Sequence, residues 1–246
     1  MSDPAISVVI PAYDEQERLP ATLEAIGAYF DRAFPDWELV IVDDGSRDRT
    51  AMIAEEFLAS RRGQLIRLSE NRGKGGALRA GMVAASGRWV LMTDADLSTP
   101  LEVFDCMSQA FEQGDVVLGS RRIPGAVILE QQPAYRIYMG RVFTALANLI
   151  LLTRCSDFTC GFKVFRREAA GRIFRAGRIN GWGYDAEVVF LAHRFGYRIV
   201  EVPVTWENDP RSRVRIVSAT IRSFVELLEV RLHDLLGHYR GRGPRS

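Results

Sequence analysis

Residues 89–100 read Trp89-Val90-Leu91-Met92-Thr93-Asp94-Ala95-Asp96-Leu97-Ser98-Thr99-Pro100. The apolar start of this stretch is typical of a buried strand in a parallel sheet. In an extended chain the side chains at positions i and i+2 point to the same side, so Asp94 and Asp96 are predicted to reach one centre at the carboxyl end of the strand. Open α/β sheets bind their ligands at that edge.

The two carboxylates predict a metal site. Adjacent carboxylates repel each other unless a cation lies between them. A hard divalent cation held by one or two carboxylates and by substrate phosphates is a common solution, typical of Mg²⁺ or Mn²⁺. Asp94 and Asp96 are therefore the predicted metal ligands. Taken alone, the segment also fits a polar strand exit that caps the following element.

Short apolar strands and amphipathic helices alternate on both sides of this stretch. Strands are predicted over 6–10, 38–42, 65–68 and 115–119. Four helices are predicted: one over about 19–31, one that begins after a cap at 48–50, one of small residues that ends at 86, and one over about 101–113. This alternation predicts an α/β fold with a mostly parallel central sheet and helices on both faces. Right-handed crossovers place the strand-end loops on one edge. The polar residues predicted at that edge are Tyr13, Glu15, Asp43, Asp44, Asp94, Asp96 and Arg121.

The second half of the chain carries two basic amphipathic helices, one over 133–153 with Arg136 and Arg141, the other starting at about Val214. Such helices are typical of a membrane interface, where each basic residue contributes about 1 kcal/mol beside anionic lipid. Alternatively, both helices pack on the sheet. We expect a catalytic domain over 1–210, with 133–153 as an inserted interfacial helix, and a basic amphipathic C-terminal helix and tail over 211–246.

Composition restricts the function further. The chain has 246 residues, enough for one large domain, and a formal net charge of +1, which gives no general attraction to nucleic acid. Its three cysteines form no Cys-x-x-Cys pair, which disfavours a zinc site or a disulfide framework and fits a reducing environment. We expect no signal peptide, and the longest apolar run, 142–152, is too short to span a bilayer.

The strand-end loops predict a nucleotide pocket without a glycine-rich phosphate loop. Neither the P-loop spacing nor Gly-x-Gly-x-x-Gly follows the first strand. Instead, the first two strands end in Pro-x-Tyr-x-Glu and Asp-Asp-Gly-Ser. Carboxylates suit ribose hydroxyls and base N–H donors, and an aromatic ring suits stacking on a base, while a metal and arginines must meet the charge of a diphosphate. For residues 43–46 alone, a plain turn remains an alternative.

Four motifs of the first half, in this order and at this spacing, resemble those of the family 2 glycosyltransferases, which have the Rossmann-like GT-A fold. They are Ser7-Val8-Val9-Ile10-Pro11-Ala12-Tyr13-Asp14-Glu15, Val42-Asp43-Asp44-Gly45-Ser46, Asn71-Arg72-Gly73-Lys74-Gly75 and Asp94-Ala95-Asp96.

The resemblance continues to about residue 235. This second part of the sequence resembles the branch of dolichyl-phosphate β-glucosyltransferases and polyprenyl-phosphate mannosyltransferases. The motifs that carry it are Gly119-Ser120-Arg121, Asp157-x-x-Cys160-Gly161-Phe162-Lys163, Arg167-Glu168-Ala169-Ala170, Trp182-x-Tyr184-Asp185-x-Glu187 and Ser212-Arg213-Val214. The glucosyl enzymes are the closer match. The mannosyl enzymes usually read Asp-Ala-Asp-Leu-Gln, and Ser98 stands where the glutamine would be. The eukaryotic glucosyl enzyme carries an N-terminal membrane anchor, which we do not expect in this chain.

This resemblance implies a role for each matching residue. Asp94 and Asp96 would hold the metal and, through it, the diphosphate. Arg121 would lie at the sugar or the acceptor phosphate, and Asp185 would orient a sugar hydroxyl or serve as a base for an alcohol acceptor; a helix N-cap is the alternative for Asp185. Arg136 is predicted to meet the lipid phosphate. The other predicted substrate-binding residues are Pro11, Ala12, Tyr13, Glu15, Val42, Asp43, Asp44, Lys74, Ala95, Ser98, Arg211 and Arg213.

The function implied is that of an inverting, metal-dependent hexosyltransferase using Mg²⁺ or Mn²⁺. Its donor would be UDP-glucose, its acceptor a polyprenyl or dolichyl phosphate, and its product a β-linked lipid-phosphate sugar. A GDP-mannose-dependent polyprenyl-phosphate mannosyltransferase and a non-catalytic sugar-nucleotide-binding module are the alternatives. The expected partners are the nucleotide-sugar donor, the lipid phosphate and a membrane surface, but no nucleic acid. We expect the protein in the cytoplasm, peripheral on the inner face of the membrane.

Overall fold

The computed structural model describes residues 3–208 and 216–239, the side chains of 216–221 excepted. The first half contains β1 (Ile6–Ala12), α1 (Leu19–Ala33), β2 (Trp37–Asp43), α2 (Thr50–Leu58), β3 (Gly63–Arg67), α3 (Lys74–Ala84), β4 (Trp89–Met92), α4 (Val103–Ser108) and β5 (Val116–Ser120). The second half contains β6 (Val127–Ile128), α5 (Ala134–Leu151), β7 (Lys163–Arg166), α6 (Arg167–Ala176), α7 (Tyr184–Arg194), β8 (Ile199–Pro203), β9 (Thr205–Trp206) and α8 (Ile216–Leu235).

Within the described ranges, seven strands form one sheet in the order β3-β2-β1-β4-β7-β5-β8, and β6 pairs with β9 in a second, small sheet. The pairs β1–β2, β1–β4, β2–β3 and β5–β8 are parallel. Only β7 runs against its neighbours, β4 and β5. The prediction of a mostly parallel α/β sheet is therefore confirmed.

Apolar side chains cover both faces of this sheet, which explains why its central strands are almost continuously hydrophobic. Val8 and Val9 alternate in β1. Val8 joins a core that includes Phe30 of α1, and Val9 joins one that includes Leu78 of α3. The helices lie on both faces, as the alternating pattern predicts.

One sequence-based expectation needs correction, and two strands were not predicted. The helix predicted over 101–113 is α4, which is shorter at both ends, because Phe104 and Gln113 bond to carbonyls three residues back and the flanking segments are turns. The short strands β6 and β9 carry no alternating pattern long enough to predict them.

The two amphipathic helices are present as α5 and α8, and they pack against each other, with the Phe143 and Phe224 rings 5.7 Å apart. None of the described helices combines the length and the apolar character that crossing a membrane requires.

Candidate active site

A cleft of about 910 Å³ opens at the carboxyl edge of β1 and β4. Nine of the residues predicted from the sequence line it, and these are Pro11, Ala12, Tyr13, Glu15, Asp44, Lys74, Asp94, Ala95 and Asp96. Residues from the segments that follow four strands, β1, β2, β3 and β4, thus meet at one edge of the sheet, as a doubly wound topology requires.

Asp94 and Asp96 enter this cleft from a turn that follows β4. The Leu97 amide donates to the Asp94 carbonyl oxygen at 3.3 Å, and Leu97 has a φ of 48°. The Ser98 amide then donates to Asp96 Oδ1 at 3.0 Å. The expectation of an extended chain at this point is therefore wrong, although both carboxylates do line the same cleft.

Asp94 is held between a lysine and a glycine. Its Oδ1 lies 2.6 Å from Lys74 Nζ. On the other side, a Cβ atom at position 161 would lie 2.2 Å from Asp94 Oδ2, so only Gly161 leaves room for the carboxylate. Burial alone would lower the pKa of Lys74, but the carboxylates of Asp94, Asp185 and Asp96 together outweigh it and raise that pKa, which keeps the ammonium charged.

Trp182 and the first turn of α3 form the opposite wall. Lys74 Nζ lies 5.5 Å from the centre of the Trp182 ring, within the range of a cation–π contact. The Asn180 carbonyl accepts a hydrogen bond from the Gly75 amide at 2.9 Å, which fixes the loop before α7 against α3. Trp182 belongs to the motif Trp-x-Tyr-Asp-x-Glu, but its spacing alone gives no reason to place it beside Lys74.

The Asp-Asp pair at the end of β2 is divided between two cavities. Asp44 is buried at the larger cleft and accepts hydrogen bonds from the amides of Arg72 and Gly73 at 2.7 and 2.9 Å. Burial raises the pKa of Asp44, and these two bonds oppose the shift. Asp43 lines a neighbouring cavity of about 580 Å³, which shares Tyr13 with the cleft. Asp44 therefore shapes the loop that carries Lys74.

Arg121 is already engaged by a buried carboxylate. Its Nε and Nη2 donate to Asp157 at 2.7 and 2.8 Å, and its guanidinium lies 5.3 Å from the centre of the Trp206 ring. Burial would raise the pKa of Asp157, but Arg121 outweighs it and lowers that pKa to about 2. Burial would lower the pKa of Arg121, and Asp157 likewise reverses that effect. The pair is thus charged at neutral pH.

Asp185 lies in the first turn of α7 and pairs with the fully buried Lys163. Burial raises the pKa of Asp185, while the ammonium groups of Lys163 and Lys74 oppose the shift. The N-cap position belongs to Gly183, so the alternative of an Asp185 cap does not hold. Lys163 also donates to the Cys160 carbonyl at 2.7 Å, which fastens the chain just before β7.

The remaining predicted residues lie apart from the cleft. Val42 is fully buried in β2. The Ser98 amide closes the turn by donating to Asp96 Oδ1. Arg136 is in α5, where its Nε lies 3.4 Å from the Tyr135 hydroxyl. Arg211 and Arg213 lie outside the described residues. Conversely, the structure adds to the cleft lining ten residues that the sequence did not single out as site residues. Five of them, Asp14, Asn71, Arg72, Gly73 and Trp182, belong to the quoted motifs, and the other five, Arg18, Ala77, Asn180, Gly181 and Arg222, carry no sequence signal.

Comparison with known proteins identifies the family. The model of glycosyl transferase family 2 matches residues 7–174, more than half of the chain. The chain belongs to glycosyl transferase family 2. Its relatives in this family include the dolichyl-phosphate β-glucosyltransferases of Dictyostelium discoideum, at 32% identity over 96% of this chain and 76% of that protein, and of Homo sapiens, at 31% over 96% and 77%.

A solved structure shows the same fold. Glucosyl-3-phosphoglycerate synthase from Mycobacterium tuberculosis, solved with Mn²⁺ and UDP-glucose, superposes with a TM-score of 0.67 at 21% identity, over 93% of this chain and 79% of that one. This likeness confirms the GT-A fold. The family match and the curated relatives, not this likeness of fold, show that the protein is a glycosyltransferase, as the sequence motifs predict.

Proposed function

We propose that this transferase moves glucose from UDP-glucose to a polyprenyl or dolichyl phosphate, with inversion at the anomeric carbon. The observation that carries the proposal is the similarity to dolichyl-phosphate β-glucosyltransferases over 96% of the chain, since it extends well beyond the donor half. The UDP-glucose bound to the Mycobacterium tuberculosis neighbour supports the same donor.

The donor nucleoside would lie along the end of β1, against Pro11, Ala12 and Tyr13. The Tyr13 side chain is 42% exposed and open to stacking on a base. Glu15 is held in place by Arg18, whose Nη2 lies 2.7 Å from Glu15 Oε1, so its carboxylate is oriented before a ribose arrives.

The residues at the end of β4 suit a divalent cation. Asp94 and Asp96 offer carboxylate oxygens in one cleft. Within residues 3–208 and 216–239, no set of three or more His, Cys, Asp or Glu side chains forms a metal site, so a cation here would share its ligands with the diphosphate. Mg²⁺ or Mn²⁺ in this position would stabilise charge on the departing diphosphate as a Lewis acid.

The transfer does not require a general base from the protein. An oxygen of the lipid phosphate, already anionic near neutral pH, forms a bond to the anomeric carbon while the bond from that carbon to UDP breaks, and UDP leaves with the electron pair. Inversion of an α-linked donor gives the β-linked product. Asp185 would act by position rather than as a base, because Lys163 holds it.

The acceptor phosphate needs positive charge on the other side of the sugar. Arg121 is the candidate at the end of β5, and Asp157 and Thr159 fix the direction of its guanidinium. We place the lipid chain along α5, where Arg136 would meet an anionic headgroup. Residues 131–156 include three arginines, Arg136, Arg141 and Arg154, and no acidic residue.

A membrane surface is the proposed location. Tyr138 and Leu149 of α5, eleven positions apart and therefore on one side of the helix, and Leu152 directly after it are 69, 70 and 71% exposed. Single exposed apolar residues are common, but a row of them beside arginines suits the headgroup region of a bilayer. We therefore retain the proposed division into a catalytic domain over 1–210, an interfacial helix within 133–153 and a basic tail over 211–246, on the inner, cytoplasmic face of the membrane.

A donor and acceptor screen tests this function. The purified protein would be given UDP-glucose or GDP-mannose with a short polyprenyl phosphate, and the sugar and the anomer of the product would be determined together. We expect β-linked glucosyl lipid from UDP-glucose, and its loss on treatment with a chelator and in Asp96→Ala. Preference for GDP-mannose, or an α-linked product, would overturn the proposal. Absence of any turnover would favour the non-catalytic module.

A further inference from the structure

Helix α8 has one face that reaches the donor cleft, the cavity of about 910 Å³ at the carboxyl edge of β1 and β4 in which we propose that the donor binds. Glu226 is buried, and its Oε2 accepts a hydrogen bond from the Gly183 amide at 2.6 Å. Arg222, one turn earlier, lies 3.1 Å from Glu226 Oε1 and lines the cleft. The polar side of α8 is therefore part of the wall that faces the donor.

The contact between Glu226 and the loop before α7 is very close. A Cβ atom at position 181 would lie 2.0 Å from Glu226 Oε1, and one at position 183 would lie 2.6 Å from Glu226 Cβ. Glycine is required at both positions for this approach. The Glu226 side chain therefore lies directly against the backbone of the loop over 181–183 and is bonded to it.

This loop also determines the position of the Trp182 ring. Gly181 and Trp182 line the cleft, and Trp182 faces the Lys74 ammonium, which in turn contacts Asp94. A chain of direct contacts thus runs from Glu226 through the loop to the carboxylate predicted to hold the metal. These contacts give α8 a physical route to the shape of the cleft.

The opposite face of α8 is apolar and open. Val225, Leu228, Leu232 and Leu235 follow helical spacing and are 51, 60, 53 and 68% exposed. This row lies on the helix that packs against α5, whose own exposed row is flanked by arginines and by no acidic residue. The two faces together suit an anionic lipid surface, which also contains the proposed acceptor.

We propose that α8 couples the membrane to the donor cleft. Its apolar face lies on lipid, and Glu226 on its other face holds the loop over 181–183 in the position that binds the nucleotide. Glu226 is a positioning residue, since it acts through the Gly183 amide. This inference rests on the proposed membrane-bound function and adds that lipid contact tightens donor binding.

The test measures UDP binding by calorimetry, with Mn²⁺ present, with and without vesicles of phosphatidylcholine and phosphatidylglycerol. We expect vesicles to tighten UDP binding of the native protein by about fivefold or more. Glu226→Ala should still sediment with vesicles but lose this response, whereas Glu226→Gln, which keeps an acceptor for the Gly183 amide, should retain most of it. Glu229→Ala, an exposed acidic residue on the same helix, is the matched control and should behave as the native protein.

A double change on the outer face, Leu228→Ser with Leu232→Ser, completes the design. It should reduce sedimentation with vesicles and leave UDP affinity at its vesicle-free value. The coupling is refuted if the native protein does not sediment with vesicles, or if it does so while its UDP affinity stays unchanged. It is also refuted if vesicles tighten UDP binding of Glu226→Ala as much as that of the native protein. These results do not depend on sugar transfer. A protein whose UDP binding tightens with vesicles but which transfers no glucose would therefore contradict only the proposed function.

Discussion

Replacing Gly161 with alanine is expected to displace the Asp94 carboxylate. A Cβ atom at this position would lie 2.2 Å from Asp94 Oδ2, whereas ordinary contacts begin at 3.4 Å. The carboxylate must therefore move by about 1.2 Å, or the chain before β7 must retreat by the same amount. The φ angle of Gly161 is not positive, so alanine adds no backbone strain there.

The magnitude follows from this displacement. A misplacement of about 1 Å in a reacting geometry costs roughly 100-fold in rate, which corresponds to about 2.7 kcal/mol of transition-state stabilisation. We expect kcat/KM for UDP-glucose to fall by about 100-fold in Gly161→Ala. Binding of Mn²⁺ in the presence of UDP, followed by electron paramagnetic resonance, should weaken in parallel.

Gly171→Ala is the matched control for this substitution. Its Cβ atom would meet only Arg175 Nη1, at 3.3 Å, at the end of a flexible side chain on α6. Alanine inside a helix is favoured over glycine by about 0.5–1 kcal/mol, so this variant should be as stable as the native protein and fully active. If Gly161→Ala kept kcat/KM within about threefold of the native value, the proposed role of Asp94 would be refuted.

Three further outcomes are expected. Asp96→Asn should lower the affinity for Mn²⁺ and reduce glucosyl transfer by at least about 100-fold, since one of two charged ligands is lost; unchanged Mn²⁺ binding would contradict this. Because Arg121 lowers the pKa of Asp157 to about 2 from 3.8, this carboxylate stabilises the fold above about pH 4 and loses its contribution, on the order of 2 kcal/mol, as the pH falls towards 2. Urea unfolding of Asp157→Asn should show a correspondingly weaker dependence on pH between 2 and 5, and an unaltered profile would count against the pair. Tyr239→Phe removes a buried hydrogen bond of 2.5 Å to Glu187 and should lower the free energy of unfolding by about 1.5–3 kcal/mol, measured by urea denaturation, with sugar transfer preserved.

The parts of the fold that the sequence predicts correctly are those set by local patterns. Strands β1, β2 and β4 are short, apolar and followed at once by polar loops, so their existence and the clustering of their ends follow from periodicity and topology. Asp94 and Asp96 could be placed at the cleft for this reason. Their approach from a turn could not, because it depends on Leu97 adopting a positive φ.

Contacts between distant residues are the parts that the sequence does not predict. Asp157 meets Arg121 across 36 positions, and Glu226 meets Gly183 across 43. Such pairs depend on which helices pack together, and no local spacing encodes them. The position of β7 between β4 and β5 is of the same kind, since a strand of four residues gives no indication of its neighbours.

The reversed direction of β7 determines where the segment between β5 and β7 leaves and re-enters the sheet. A strand antiparallel to β4 brings its beginning, not its end, to the ligand edge, where Lys163 pairs with Met92. The chain segment between β5 and β7 therefore leaves the sheet and returns to it at this same edge, as one continuous insert. This insert, residues 121–162, could be exchanged among homologues as a cassette without touching the strands under the nucleotide, provided that the glycine next to Asp94 is kept.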